Sequence, residues 1–530
     1  MVVNAMKKSL GWMFAMCLAL AGACIGSNSQ APVNTHTGVY NVLDYGAKND
    51  GSADTGPAFK AAIEAAHRAG GGTVLVPAGQ YISGPIEMVS NLTIDFDAGA
   101  IVTFPAQVLP LTPGRQQGIE TLTPVPLIGG HDLENVAVVG RGVLMSSNDD
   151  WMKLHGRRQP SGNDVGTANG DNWEKLLADL GAGKTIPQDE YRAAGEELRP
   201  SFIRFMNSKN ILVSGLRFIG SPMWTVHLLY SKNATIENLV IETYPGVHTD
   251  GIVIDSSRFV RLSNDYIDTG DDGIVIKAGK DADGLRVNRP SEDIAITNCT
   301  VHHAHGAVTI GSETSGSVRN VVASNMTVVD AVNGARIKSE RGRGGVVENI
   351  RFDNWTMENI EEDAIVVTSY YTMEGEKKEG KQPVSKTTPV FRNIAIGDMT
   401  IDGAKHMIAV EGLPEMPIQS LRISDITGTG KEGMTALYAD GLELHNVEMN
   451  PEVGPAFAAA HVRNLELDDV AERKPLADAP VIRLDDAANA VVRNSRAFAG
   501  TGVFLSVGKK QLKQTTLEGN ALGAARIPAE

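Results

Sequence analysis

Cysteine is nearly absent from this 530-residue chain: Cys17, Cys24 and Cys299 are the whole complement. Three cysteines, two of them inside the first 25 residues, exclude a disulfide framework in the mature protein. Aromatic residues are also scarce, at 5%. Basic residues are outnumbered, 48 against 63 acidic, for a net charge of −15, which excludes general nucleic-acid binding because that needs a basic footprint. Long apolar runs are missing after Ile25, so the mature chain has no membrane span.

What is present is glycine, 56 residues of it, in a chain that is 42% hydrophobic. Few aromatics with much glycine suits many short strands joined by tight turns. The N-terminus carries Lys7 and Lys8, an apolar run from Leu10 to Ile25, and polar Ser27 to Gln30. That is the layout of a signal peptide over residues 1–30, implying export to the periplasm or beyond. Ala21-Gly22-Ala23-Cys24 loosely matches a lipoprotein cleavage box, which allows a lipid anchor at Cys24.

The first mature elements read as a strand from Tyr40 to Leu43 and a turn from Gly46 to Gly51. A helix follows, with Pro57 in its first turn, Phe59, Ile63 and Ala66 at helical spacing, and Gly70-Gly71-Gly72 as its stop. Such a helix suits the capping of an exposed sheet end. From Thr73 the chain becomes a series of short strands. A loose repeat begins at Asn210, Asn233, Arg258, Asp293, Asn320, Asn349 and Asn393, each start followed by four or five residues of alternating polarity. The period of roughly 23–35 residues signals a solenoid. No long amphipathic helix lies between Ile203 and Val367, which disfavours a βα-barrel, and a β-sandwich is the weaker alternative.

The expected fold is therefore all-β: a single-domain right-handed parallel β-helix with an N-terminal capping helix, spanning residues 38–510. Asp149 to Arg199, with a helical piece from Trp173 to Leu180, reads as a large insertion. Glu374 to Lys386 reads as a solvated loop, residues 511–530 as a C-terminal tail, and the molecule as a monomer.

Residues one coil apart in a parallel β-helix stack at about 4.8 Å. Asp250 precedes Asp271 and Asp272 by 21 and 22 residues, about one coil. His305 follows on the next coil, and Arg336 with Lys338 on the one after. Each piece alone has a bland reading, since Asp-Gly pairs are ordinary turn chemistry. Together they place three carboxylates, an imidazole and two cations on one face. Crowded carboxylates cannot all ionise, so at least one pKa rises. A protonated carboxyl beside ionised ones is the acid–base set that glycosidic cleavage uses. Arg336 and Lys338, two apart on a strand, share a side and can grip a substrate carboxylate, so an acidic molecule can still hold an acidic polysaccharide.

These motifs resemble glycoside hydrolase family 28, the polygalacturonase family. Its pattern of Asn-Thr-Asp, Asp-Asp, Gly-His-Gly and Arg-Ile-Lys appears here as His248-Thr249-Asp250, Asp271-Asp272, Ala304-His305-Gly306 and Arg336-Ile337-Lys338. The resemblance runs from about Val42 to Tyr371. Two positions depart from it: His248 replaces an asparagine and Ala304 a glycine. The resemblance implies inverting hydrolysis of α-1,4-galacturonosyl bonds in pectin, without metal or cofactor. Asp271 would be the general acid, Asp250 and Asp272 would activate water, and His305 would tune the acid. Arg336 and Lys338 would grip the substrate carboxylate, with His248, Lys277, Glu313 and His227 as further substrate-binding candidates. Stretches such as Ser221-Pro-Met-Trp224-Thr-Val-His227 and Gly306 to Gly316 are similar to the exo-acting bacterial branch. The insertion at 149–199 would then wall off one end of the groove, and one of Tyr370 and Tyr371 would flank the sugar. The competing readings are a Ca²⁺-dependent pectate lyase, a non-catalytic pectin-binding solenoid, and a hydrolase of rhamnogalacturonan or substituted galacturonan.

Overall fold

The computed structural model describes residues 38–154, 198–371 and 380–530, with scattered positions between 175 and 191. The leader, Cys24, most of the insertion and the first part of the Glu374–Lys386 loop lie outside the described residues, and of the helix expected from Trp173 to Leu180 only Lys175, Leu176, Asp179 and Leu180 are described, all helical. The chain winds as a right-handed parallel β-helix whose coils pair in parallel throughout a 33-stranded sheet.

Register runs straight up the stack. Ile203 pairs with Val226, Val226 with Ile252, Ile252 with Ile274, Ile274 with Val308, and Val308 with Ala335. All six are buried at 1% exposure or less, so each inward position becomes an aliphatic ladder along the axis. Alternation then sends the next residue of every strand outward.

The turn asparagines that mark the sequence repeat have a structural job. Asn91, Asn135, Asn210 and Asn233 all adopt φ between 55° and 61°, the left-handed region that asparagine tolerates. Their amides stack, with Asn135 donating to Asn91, Asn210 to Asn135 and Asn233 to Asn210 at 2.7–2.8 Å. Asn320, Asn349 and Asn393 continue this pattern further along. The ladder satisfies side-chain groups while fixing each turn over the previous one.

The expected helix forms over Gly56–Arg68 and buries Ala58, Phe59, Ala62, Ile63 and Ala66 in the main core, against the strands Val39–Asn41 and Gly72–Val76. The C-terminal residues are not a tail. Thr516–Glu518 pairs with Val491–Arg493, and Ile527–Ala529 with Val503–Leu505, so the winding continues past residue 510. The periodicity there is too brief to read in the sequence because each strand has only three residues.

One element breaks the parallel pattern. Leu111–Gln116 and Ile119–Pro124 form an antiparallel hairpin closed by Gln117 and Gly118, both at positive φ. Arg115 at its tip end is fully buried against Asp255 at 2.6 Å, and Arg204 donates to Thr123 at its base. Leu111 and Leu122 pack with Leu176, Leu180, Ile186, Tyr191 and Leu198, the described part of the insertion. These described residues of the insertion therefore rest on the hairpin.

Candidate active site

The strands Ile252–Asp255, Ile274–Lys277, Val308–Ile310 and Ala335–Lys338 lie side by side and form the floor of a groove of about 1070 Å³. The turns entering them carry the chemistry. With Ile252 opposite Ile274, Asp250 comes to face Asp272 on the next coil, and the Gly251 amide donates to the Asp272 carbonyl. His305 similarly follows Asp271, to whose carbonyl its amide donates. One oxygen from each of Asp250, Asp271 and Asp272 lies within 4.8 Å of the others. Gly270 is required at this crossing, because a Cβ there would sit 2.1 Å from the Gly246 carbonyl.

Each carboxylate has its own partner. Asp250 is 3.4 Å from the Lys277 ammonium, which also reaches Glu313 at 3.4 Å and lies over the Trp224 ring. Asp272 accepts from Thr309 at 2.9 Å and faces Arg336 at 3.5 Å and Lys338 at 3.4 Å. Asp271 accepts from the Asp272 amide and stands 3.4 Å from His305 Nδ1.

These surroundings separate the protons. Burial, reinforced by the Asp271 charge, holds Asp250 well above the ordinary carboxyl range. Burial also pushes on Asp271, but the hydrogen bond and charge of His305 outweigh it and hold that carboxyl far below the usual range. The same hydrogen bond raises His305. Glu313 is opposed by burial but drawn down to about 2 by Lys277, while burial lowers Lys338. The surroundings thus favour a proton at Asp250 over one at Asp271, and favour the protonated form of His305.

Asp250, Asp271, Asp272, His305, Arg336, Lys338, His248, Lys277 and Glu313 all line this one groove. His248 sits at φ 54° with its Nδ1 3.1 Å from Arg199, a buried guanidinium that also donates to the carbonyls of Pro222 and Val247. His227 is the exception. It does share the outward column of Arg336, through Val253, Val275 and Thr309. However, it is 1% exposed, edge-on to Trp224 at 4.9 Å and 4.0 Å from Asp255, at the end of the column held by Arg115 and Arg204 of the hairpin contact. It does not reach the groove, and burial lowers its pKa.

Of the two tyrosines, Tyr371 lines the groove with Lys338 over its ring, and Tyr370 is buried beneath Arg341. Sequence reasoning missed Gln117 and Lys280, which line the groove where the Lys280 amide donates to the Gly118 carbonyl, and also Tyr244 and His303 on the entry side of the floor strands. Nothing local flags Gln117, since its position depends on a hairpin packed against coils more than a hundred residues away.

The model of the family described as Glycosyl hydrolases family 28 matches residues 181–444. An exopolygalacturonase structure from Thermotoga maritima is 33% identical, with a TM-score of 0.69, over 78% of this chain and 92% of that one. The chain belongs to glycosyl hydrolases family 28. It is accordingly a glycoside hydrolase. Within the family it is similar to a probable polygalacturonase of Vitis vinifera, 27% identical over 73% of each chain. It is also similar to an exo-poly-alpha-D-galacturonosidase of Dickeya chrysanthemi, 24% identical over 77% of this chain and 71% of that one. Residues 39–107 match a second family model, described as Rhamnogalacturonase A/epimerase, pectate lyase-like.

Proposed function

We propose that this family 28 enzyme hydrolyses the α-1,4-galacturonosyl bonds of polygalacturonate, from the chain end and with inversion. The observation that carries the reading is the grouping of three carboxylates within 4.8 Å beside Arg336 and Lys338. Asp271 delivers the proton to the leaving oxygen, and Asp250 and Asp272 take the proton of the attacking water. His305 keeps a proton on the Asp271 pair, and Arg336 with Lys338 receives the carboxylate of the sugar on the leaving side. The acid's proton does not need to come from solvent. Three carboxylates this close share protons as one unit, and a shift from Asp250 toward Asp271 arms the acid while freeing the base.

The spacing is shorter than the roughly 6.5–9.5 Å common among inverting pairs. Proton NMR of the first product therefore tests the stereochemistry: β-galacturonate appearing first supports inversion, and α-galacturonate overturns it.

What supports exo action is the hairpin, Leu111–Gln116 with Ile119–Pro124, whose tip brings Gln117 into the groove lining with Met223 and Trp224 and accepts the Lys280 amide at the Gly118 carbonyl. Leu176, Leu180, Ile186, Tyr191 and Leu198 of the insertion pack with the hairpin's Leu111 and Leu122, so the insertion can share the walling role. Digestion of polygalacturonate and short oligogalacturonates is the deciding experiment. Immediate release of monomer or dimer alone is expected, and a spread of oligomers would overturn exo action. Unsaturated, ultraviolet-absorbing ends suppressed by EDTA would replace hydrolysis with elimination. Lys277, Arg336 and Lys338 already compensate the aspartates at 3.4–3.5 Å, which disfavours a bound Ca²⁺ there.

We also infer export, supported by Lys7, Lys8 and the apolar run to Ile25. No helix among the described residues is long and apolar enough to cross a membrane. Enzyme retained in spheroplasts with an intact N-terminus would overturn export.

A further inference from the structure

Tyr244 is one of the few large hydrophobic side chains left open, 54% exposed, yet it is held firmly. Its ring stacks on His303 with centroids 4.3 Å apart and planes 22° from parallel. His303 is itself fixed by Asp268, at 2.8 Å from its Nδ1. The Tyr244 amide donates to the Asp268 carbonyl, so ring and support are tied to the same intermediate coil. Both rings line the groove. Behind them His302 and Tyr266 continue the aromatic strip, with centroids 5.3 Å apart.

An open aromatic ring normally loses conformational freedom only when something is gained by holding it. A clamped ring presents its electron-rich face to whatever enters the groove. At the exit ends of the floor strands and just beyond them the groove is lined by Lys277, Lys280, Lys338 and Arg343, whereas Tyr244 and His303 lie on the entry side. A uronate has complementary parts for the two sides: a carboxylate on one edge and a face of weakly polar C–H bonds. We propose that Tyr244, backed by His303 and Asp268, is a stacking platform for a pyranose ring of the substrate chain. Tyr244 stands at the exposed rim, while Asp250 and Asp272 are buried in the floor at 2% and 3%. The platform therefore serves a sugar beyond the two that flank the cleaved bond. This assignment rests on the galacturonan reading above and extends it to a further subsite.

The test compares KM and kcat on digalacturonate and hexagalacturonate. Tyr244→Ala is expected to raise the hexamer KM about 5- to 10-fold, the scale of one aromatic stacking contact, with kcat and the dimer KM unchanged. Tyr244→Trp should keep the parental hexamer KM, and His303→Ala should raise it by a smaller factor. A Tyr244→Ala variant matching the parent on the hexamer would overturn the platform. So would an equal loss on dimer and hexamer, or a fall in kcat, because the ring would then act at the scissile bond. A parent that leaves both oligomers uncut overturns the galacturonan reading itself. The two failures are therefore distinguishable.

Discussion

The coils from Ile203 to Lys338 and those from Val346 to Arg493 share one winding but are built differently. In the first set each coil is three strands of three to seven residues, apart from Val318–Val329, separated by turns and loops. In the second the strands run on through the corners, 23 residues in Val346–Thr368 and 33 in Ala439–Ala471. Both bury an aliphatic ladder, so both are stable as stacks. In the first set every entrance to one face is interrupted, and those interruptions carry Asp250, Asp271, Asp272 and His305, whereas in the second set only the gap between Ala471 and Pro480 interrupts the entrance to that face. Continuity builds the rod, and broken coils make room for chemistry.

This contrast can be broken by matched substitutions. The largest effect is expected from Asp271→Asn, which should lower kcat on polygalacturonate by about 10³-fold by removing the proton donor. Asp398→Asn, at an exposed turn of the second set, should leave kcat unchanged. Equal loss in both would mean that the activity does not reside in the groove.

Next in size is Lys338→Met. Removing a charged partner 3.4 Å from Asp272 should cut kcat/KM about 10- to 100-fold, from the roughly 1.5–3 kcal/mol of a charged hydrogen bond. Lys405→Met removes a surface pair with Glu362 in the second set and should be silent in the same assay.

The third prediction concerns pH. The raised His305 is protonated below its folded pKa and loses that proton as pH rises through it, a value above the ordinary ~6.5 of histidine. The kcat profile should therefore fall on its alkaline side, and His305→Ala should remove that limb along with much of the rate. An unchanged limb in the variant would assign it to another group.

The smallest effect belongs to the ladder. Asn349→Ala breaks side-chain bonds to Asn320 and Asn393 and puts alanine at φ 58°, costing about 1–2 kcal/mol in urea unfolding with kcat unchanged. Asn349→Gly, free of the backbone strain, should lose less.

The sequence revealed what depends on neighbouring coils. The solenoid was legible because turn asparagines recur, and nine of ten candidate site residues line the groove because coil spacing stacks them. The misses have a common physical origin. His227 lies on the correct outward column, but its exposure is decided by the hairpin at 111–124, whose contacts are set by tertiary packing. Tyr244 and His303 form a pair only because their coils leave room for one ring to lean over the other. The strands after residue 510 were too short for their alternation to register.

The asparagine ladder has one more consequence. Asn210 bonds to Asn135, 75 positions earlier in the chain, at 2.8 Å, and Asn233 bonds to Asn210, 23 positions earlier, at 2.7 Å. The bond is indifferent to how much chain is spliced between its partners. Loops of almost any length can thus be exchanged at a corner without shifting the floor by a single residue. Within this architecture, specificity can diversify by grafting while the aspartates stay where they are.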